Sequence, residues 1–206
     1  MNKSNERIVL FLIMLIVMLI TLTTLLAVTH NVSKPLMKEK VELTKTDIYC
    51  LARNAYYEAR NDSEMSQIAV THVVLNRVHD PNFPKEICDV IYQKTRNEQR
   101  NTIVCQFSWY CDKRMMGMKV TEESWNQSLD AVLNAIKLYY DKNVDVTQGS
   151  TYYHAYYVNP NWRNLEKVTS IGSHIYYKTK DMSDNDKQQS SATRWPFYEK
   201  VVLRTN

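Results

Sequence analysis

The stretch Leu51–Val78, LARNAYYEARNDSEMSQIAVTHVVLNRV, reads as two helices meeting at a polar elbow. In the first, Thr44 or Thr46 is placed to cap the start, with Asp47 in the first turn where the helix dipole favours an acid. Ile48, Leu51, Ala52, Ala55 and Ala59 then recur at helical spacing and form a buried stripe. Glu58 falls roughly 80° around the wheel from Ile48, beside Leu51 at the edge of that stripe, so it is neither fully buried nor freely exposed. Cys50 and Tyr57 lie opposite the stripe, which predicts that the helix touches protein on a second side. Asn61 is expected to end the helix in a left-handed conformation. The second helix starts at Asp62 or Ser63 and runs to about Val78. Ile68, Ala69, Val70, Val73, Val74, Leu75 and Val78 surround it, the pattern of a central buried helix.

Beyond the elbow, HDPNFPKE breaks the chain at Pro81 and Pro84, and a short helix follows over KEICDVIYQ. Residues 94–118 show no sustained period and read as irregular. TEESWNQSLDAVLNAIKLYYD is a capped amphipathic helix with Trp125, Leu129, Val132, Leu133, Ile136, Tyr139 and Tyr140 on one face. Composition then shifts to β-formers: TYYHAYYV, a turn at NPNW, and VTSIGSHIYYK. KDMSDNDKQQSSATR reads as a polar linker, and WPFYEKVVLRTN as a tail with a strand. No internal repeat is visible.

Ahead of all this lies a different kind of segment. Ile8–Val28 holds 21 residues without a charge, preceded by Lys3 and Arg7. A bilayer core takes about 20 apolar residues as helix, so the segment is long enough to span. A cleaved signal peptide has a shorter apolar region ending in a small-x-small site, which LLAVTHN matches poorly; an uncleaved signal anchor is the preferred reading and secretion after cleavage the alternative. Thr21, Thr23 and Thr24 can bond back to the helix. Lys34, Lys38 and Lys40 beyond the span compete with Lys3 and Arg7, so charge leaves the orientation open. The expected organisation is a short tail over 1–7, an anchor over 8–28, a tether over 29–43, a domain over 44–178, and a linker with tail over 179–206.

Several chemistries are disfavoured. The net charge of +4 comes without a basic cluster, which argues against nucleic acid as a partner. Five histidines form no H-E-x-x-H and no paired Cys/His pattern, so neither a metal nor any other cofactor is expected, and His72 reads as a core residue. No G-x-S-x-G marks a serine hydrolase. All four cysteines lie beyond the apolar segment, as suits an oxidising compartment; Cys105 with Cys111 is the preferred pair, and Cys50 with Cys88 follows by elimination. Carboxylate chemistry remains, and partial burial of Glu58 against Leu51, Ala55 and tyrosines would raise its pKa and keep a proton available. On spacing alone, a glutamate near a helix end is more often a surface charge or an ion-pair partner of Arg60.

A resemblance changes that weight. ARNAYYEARNDSEMSQIAVTHVVLNRVHDPNFPKEICDVIYQ, then CQFSW, GSTYYH and VTSIGSHIYY, resemble in order the SleB-type cell-wall hydrolases, the family of spore-cortex-lytic enzymes and related bacterial and phage proteins. The likeness runs from about Leu51 to Tyr177. It implies an α+β, mainly helical, lysozyme-like domain with a small β element, acting on the glycan strands of peptidoglycan. The family's catalytic glutamate, in its EAR block, corresponds here to Glu58. Matched blocks imply Gln106, Ser108, Trp109, Tyr153, His154 and His174 as substrate-binding residues. The implied reaction is that of a lytic transglycosylase, in which one glutamate serves as acid and then base. This chain departs from the family at Asn61 and Met65, where glycine is usual, and Glu64 reads as a first-turn helix charge.

Peptidoglycan as substrate would place the domain outside the cytoplasmic membrane, held there by the apolar helix. A non-catalytic wall-binding or membrane-complex protein that retains the fold is the competing class, and a hydrolase or amidase using another group is the second.

Overall fold

The computed structural model describes residues 3–32, 41–98, 100–180 and 202–204. Most of the expected tether, most of the polar linker and the WPFYEK part of the tail lie outside the described residues. The chain divides into two units, residues 1–37 and 38–206.

The first unit is one helix, α1 (Lys3–Val32). Its segment Arg7–Leu25 has a mean hydropathy of 3.0 and is long and apolar enough to cross a membrane, a property that signal sequences share. Thr21, Thr23 and Thr24 each donate a hydroxyl hydrogen bond at 2.9 Å to the carbonyl three residues back, which hides their polarity in the helix.

The second unit is mainly helical with small sheets. Helix α2 (Lys45–Ala59) begins at a capping box: the Thr44 hydroxyl accepts from Asp47 N–H at 3.1 Å while the Asp47 carboxylate accepts from Thr44 N–H at 2.9 Å. Helix α3 (Glu64–His79) is capped by Ser63. It packs against α2 and α6 (Glu122–Ile136), which also pack on each other, and Ala69, Val70, Val73, Val74 and Leu75 are all 0% exposed. Cys50 and Tyr57 are buried as well, so α2 does meet protein on two sides. Helix α4 (Ile87–Tyr92) adds Ile87, Val90 and Ile91 to this core. Disulfides Cys50–Cys88, which ties α2 to α4, and Cys105–Cys111 both form.

Several features differ from the sequence expectation. Between Lys94 and Met118 the structure forms a hairpin, β2 (Lys94–Asn97) with β3 (Thr102–Cys105), turned at left-handed Asn101, and then a short helix α5 (Lys113–Met116). All but Asn97 and Cys105 of the hairpin's strand residues are exposed, so no burial pattern marks them in the sequence. On α6 the buried face is Ser128, Ala131, Val132, Ala135 and Ile136, whose small members let it approach α3; Leu133, one residue round from Val132, is 39% exposed. The chain widens into a π turn over Lys137–Asp141, which buries Tyr139 and Tyr140. Finally, Asn61 is not left-handed: among the described non-glycine residues only Asn101, Asn143 and Gln148 are. Arg60 stays helical, and a turn from Asp62 N–H to the Ala59 carbonyl at 3.0 Å hands the chain directly to the Ser63 cap.

The sheet that completes the domain has strand order β4-β6-β5, with β4 (Tyr152–Ala155), β5 (Leu165–Ile171) and β6 (His174–Thr179) antiparallel. Asn76 in α3 fastens its approach: the amide nitrogen donates to Asp145 at 2.9 Å, Thr147 Oγ1 at 3.1 Å and the Ser150 carbonyl at 2.9 Å. Burial alone would raise the Asp145 pKa, but His72, Thr147 and the Gly149 N–H outweigh it and hold Asp145 at about 2. Strand β7 (Val202–Arg204) pairs in parallel with β1 (Glu42–Thr44), so Glu42 and Leu43, expected in the tether, are strand residues.

Candidate active site

Glu58 sits in the last turn of α2, half-buried, and its Oε2 accepts a hydrogen bond from the Tyr153 phenol in β4 at 2.9 Å. The end of α2 and its elbow, residues 57–62, form one wall of an open recess of about 130 Å³, and Ser173 and His174 form another. These walls are 111 residues apart in sequence at their joint, where the Ser173 N–H donates to Asp62 Oδ2 at 2.7 Å. Gly172 makes the joint possible. It adopts φ 54°, and a Cβ there would collide with Asp62 Oδ2 and Ser66 Oγ, so no other residue fits without displacing the latch.

Sheet pairing explains which rings reach Glu58. Tyr153 faces Tyr176 across the β4–β6 ladder, and alternation puts both on the helix side with His174. The Tyr153 ring meets His174 edge-on at 5.0 Å and Tyr176 at 5.6 Å, so the phenol that holds Glu58 is itself held. Behind them lies Arg77 of α3, 3% exposed, with Nε donating to the Thr151 carbonyl at 2.7 Å and its guanidinium 5.1 Å over Phe107 and 5.3 Å over Phe83. With its amide oxygen turned inward, Gln106 accepts from Arg77 Nη2 at 3.0 Å and Nη1 at 3.2 Å.

These surroundings separate two carboxyl groups. Burial raises the Glu58 pKa, against the opposing pull of the Tyr153 hydrogen bond and the Arg77 charge. Asp62 moves the other way: burial would raise it, but N–H donors from Ser173 and Ser63, with Ser66, hold it below the ordinary range. Burial also lowers Arg77 to about 10, which leaves it charged at neutral pH, and lowers His174, which keeps that ring neutral there. A carboxyl group of raised pKa and one of lowered pKa thus line the same recess, so their environments push the two apart.

Of the residues singled out from sequence, Glu58 and His174 line the recess and Tyr153 touches Glu58. Gln106 reaches the site only through Arg77. Ser108 is exposed on the 3-10 turn Ser108–Tyr110 and does not line the recess. Trp109 is buried at 1% exposure; its ring stacks on Tyr57 at 4.7 Å and its Nε1 donates to Asn54 Oδ1 at 2.9 Å, so it backs the wall instead of facing a sugar. Strand alternation turns His154 to the opposite sheet face, where it stacks on Tyr177 at 5.2 Å and its Nε2 lies 3.0 Å from the Tyr177 hydroxyl. Arg77 and Asp62 were not singled out. The signal for Arg77 was an arginine inside an all-round apolar helix, which has to find internal partners.

Known proteins share this fold and part of this sequence. The family model for cell wall hydrolases matches residues 61–177, beginning three residues after Glu58. A spore cortex-lytic enzyme of Halalkalibacterium halodurans is 40% identical over 47 residues, 23% of this chain and 14% of that protein. One from Bacillus subtilis is 38% identical over 50 residues, 24% of this chain and 16% of that protein. The match therefore spans about one-seventh of the length of these curated relatives. The solved catalytic domain of the germination-specific lytic transglycosylase SleB from Bacillus anthracis superposes with a TM-score of 0.50 at 27% identity, covering 66% of this chain and 97% of that domain. With more than half of its 206 residues matched by the family model, the chain belongs to the cell wall hydrolase family.

Proposed function

We propose that the protein cleaves the glycan strands of peptidoglycan as a lytic transglycosylase, with Glu58 as its single acid and base. The observation that carries this is a carboxyl group of raised pKa, held by Tyr153 at 2.9 Å, at the wall of an open recess. Protonated Glu58 gives its proton to the glycosidic oxygen as the bond to C1 of the muramic acid breaks. The resulting carboxylate then takes the proton of that sugar's own 6-hydroxyl, whose oxygen closes on C1 to form the anhydro ring. Leaving group, proton and electron pair are all accounted for without water. Likeness to a solved lytic transglycosylase domain supports this reading.

Asp62 favours a second reading. An ionised carboxylate on the same recess could activate water or stabilise the sugar cation, giving hydrolysis as in a muramidase. Product mass separates the two, since hydrolysis adds one water and transglycosylation none.

The organisation proposed is an anchor over 8–28, a tether, and a catalytic domain over about 44–178 on the external side of the cytoplasmic membrane. Secretion after cleavage of the apolar helix is the alternative, decided by whether mature protein from cells begins near residue 30.

The test is digestion of purified sacculi by the full chain and by Glu58→Gln, which is nearly isosteric but cannot transfer a proton. Loss of general acid catalysis is expected to slow release of anhydromuropeptides by roughly 10²–10⁴-fold. Undiminished release would sink the assignment, and binding without release by the unaltered chain would favour a non-catalytic wall-binding protein.

A further inference from the structure

The turn that leaves β4 carries two tyrosines that pack on little besides each other. Val158 N–H donates to the Ala155 carbonyl at 2.9 Å, which closes a four-residue turn with Tyr156 and Tyr157 at its corners. Such corners ordinarily take Gly, Pro, Asn, Asp or Ser, because the chain reverses there and side chains project into water. Here the two side chains are 68% and 77% exposed, while Tyr153 and Tyr176 of the same sheet are packed against the core. Their rings meet edge to face, with centroids 5.4 Å apart and planes at 85°, so they fix each other's orientation and still present ring surface to solvent.

Their position connects them to the recess. Tyr156 N–H donates to the Ser173 carbonyl at 2.9 Å, and Ser173 with His174 is the recess wall that faces the end of α2. The tyrosine turn is therefore joined through its backbone to a wall of the recess that Glu58 also lines. The loop continues through Asn159, Asn161 and Asn164, all exposed, with Trp162 at 40% exposure. Flat rings interspersed with amides suit a saccharide, whose C–H faces stack on an aromatic plane while its hydroxyl and acetamido groups need donors and acceptors at the edges. A lipid surface calls for a broader apolar patch than Tyr156, Tyr157 and the 45% exposed Val158 make before Asn159 interrupts it.

We propose that Tyr156 and Tyr157 form a stacking platform for a sugar ring of the glycan strand, one that lies along the strand from the bond presented to Glu58. The platform rests on the function proposed above, whose substrate it extends. It would make the protein select polymeric strands over short fragments, since only a strand long enough to reach the turn gains the added contact.

The experiment is co-sedimentation of the full chain with purified sacculi, in the Glu58→Gln background so that the polymer survives. Tyr156→Ala and Tyr157→Ala are each expected to weaken binding roughly threefold to tenfold, the range of one aromatic contact, and Tyr→Phe at either position to retain it, because stacking needs the ring and not the hydroxyl. In the active chain the Ala variants raise KM on strands with little change in kcat and leave cleavage of short fragments unaltered. Equal binding by the double Ala variant overturns the proposal, as does an equal loss on changing Tyr to Phe, or loss of binding to anionic lipid vesicles in place of sacculi. Full activity of Glu58→Gln would instead refute the catalytic reading and leave the binding result standing by itself.

Discussion

The phenol of Tyr153 donates to Glu58 Oε2 at 2.9 Å across 95 residues of sequence, and this contact tunes the carboxyl group proposed above as the acid. A hydrogen bond to the charged form favours ionisation, so it opposes the upward effect of burial. Tyr153→Phe keeps the ring against His174 but removes the donor. The Glu58 pKa then moves further up, and the alkaline limb of the pH profile of kcat/KM, where the acid loses its proton, shifts to higher pH. A limb that stays in place or moves down would contradict the role given to Tyr153.

Glu58 also sets a pH dependence of stability. Its folded pKa is raised, so between its unfolded and folded values the native state binds more protons than the unfolded chain, and stability falls as pH rises through that window. Glu58→Gln removes the cost of ionising a half-buried carboxyl. The variant should therefore melt at a higher temperature than the parent chain at neutral pH, with the gain disappearing at pH values below the ordinary glutamate range. Calorimetry at several pH values checks this, and a Glu58→Gln protein less stable at neutral pH would be inconsistent with it.

Arg77 combines structural and electrostatic roles that substitutions can separate. Arg77→Met loses the hydrogen bond to the Thr151 carbonyl and the contact with Gln106, and is expected to cost at least about 2 kcal/mol in denaturant unfolding. It also removes a positive charge that lowers the Glu58 pKa, so the alkaline limb of activity moves up. Arg77→Lys restores the charge and hence much of the limb position. Its single ammonium cannot reproduce the planar fork, so stability is not restored to the same degree.

The two disulfides should contribute unequally. Cys50–Cys88 closes a separation of 38 residues and Cys105–Cys111 one of 6. Loop-closure entropy then assigns about 4 kcal/mol to the first and about 2 kcal/mol to the second. Paired Cys→Ala variants, compared by denaturant unfolding, test the order. The smaller loss is also the one nearer the site, because Cys105 adjoins Gln106.

How much of this was legible in the sequence follows from what each residue's role depends on. The break between α2 and α3, a threonine cap at Thr44 or Thr46 and the buried character of α3 depend on neighbours within a few positions, and periodicity with capping chemistry exposes them, whereas the helical hand-over at Asn61 goes against its expected left-handed turn. The β2–β3 hairpin has no buried face to produce an alternation, so nothing local marked it. Leu133 was misplaced because the approach of α6 to α3 is decided by small residues, Ala131 and Ala135, which a wheel weighted by bulk underrates. At the site, Glu58 stood out at the edge of a stripe, but its phenol donor came from resemblance, and strand alternation then separated Tyr153 from His154. Asp62 escaped notice because its partner, the Ser173 N–H, is a backbone group whose identity no sequence pattern carries.

The seam between the elbow and the β5–β6 turn means that the raised pKa of Glu58 exists only in a finished molecule. Until β4 has paired with β6 and Ser173 has latched onto Asp62, Glu58 is an ordinary solvated glutamate without the burial that raises its pKa. Under the function proposed above, catalytic competence would thus be a readout of completed folding.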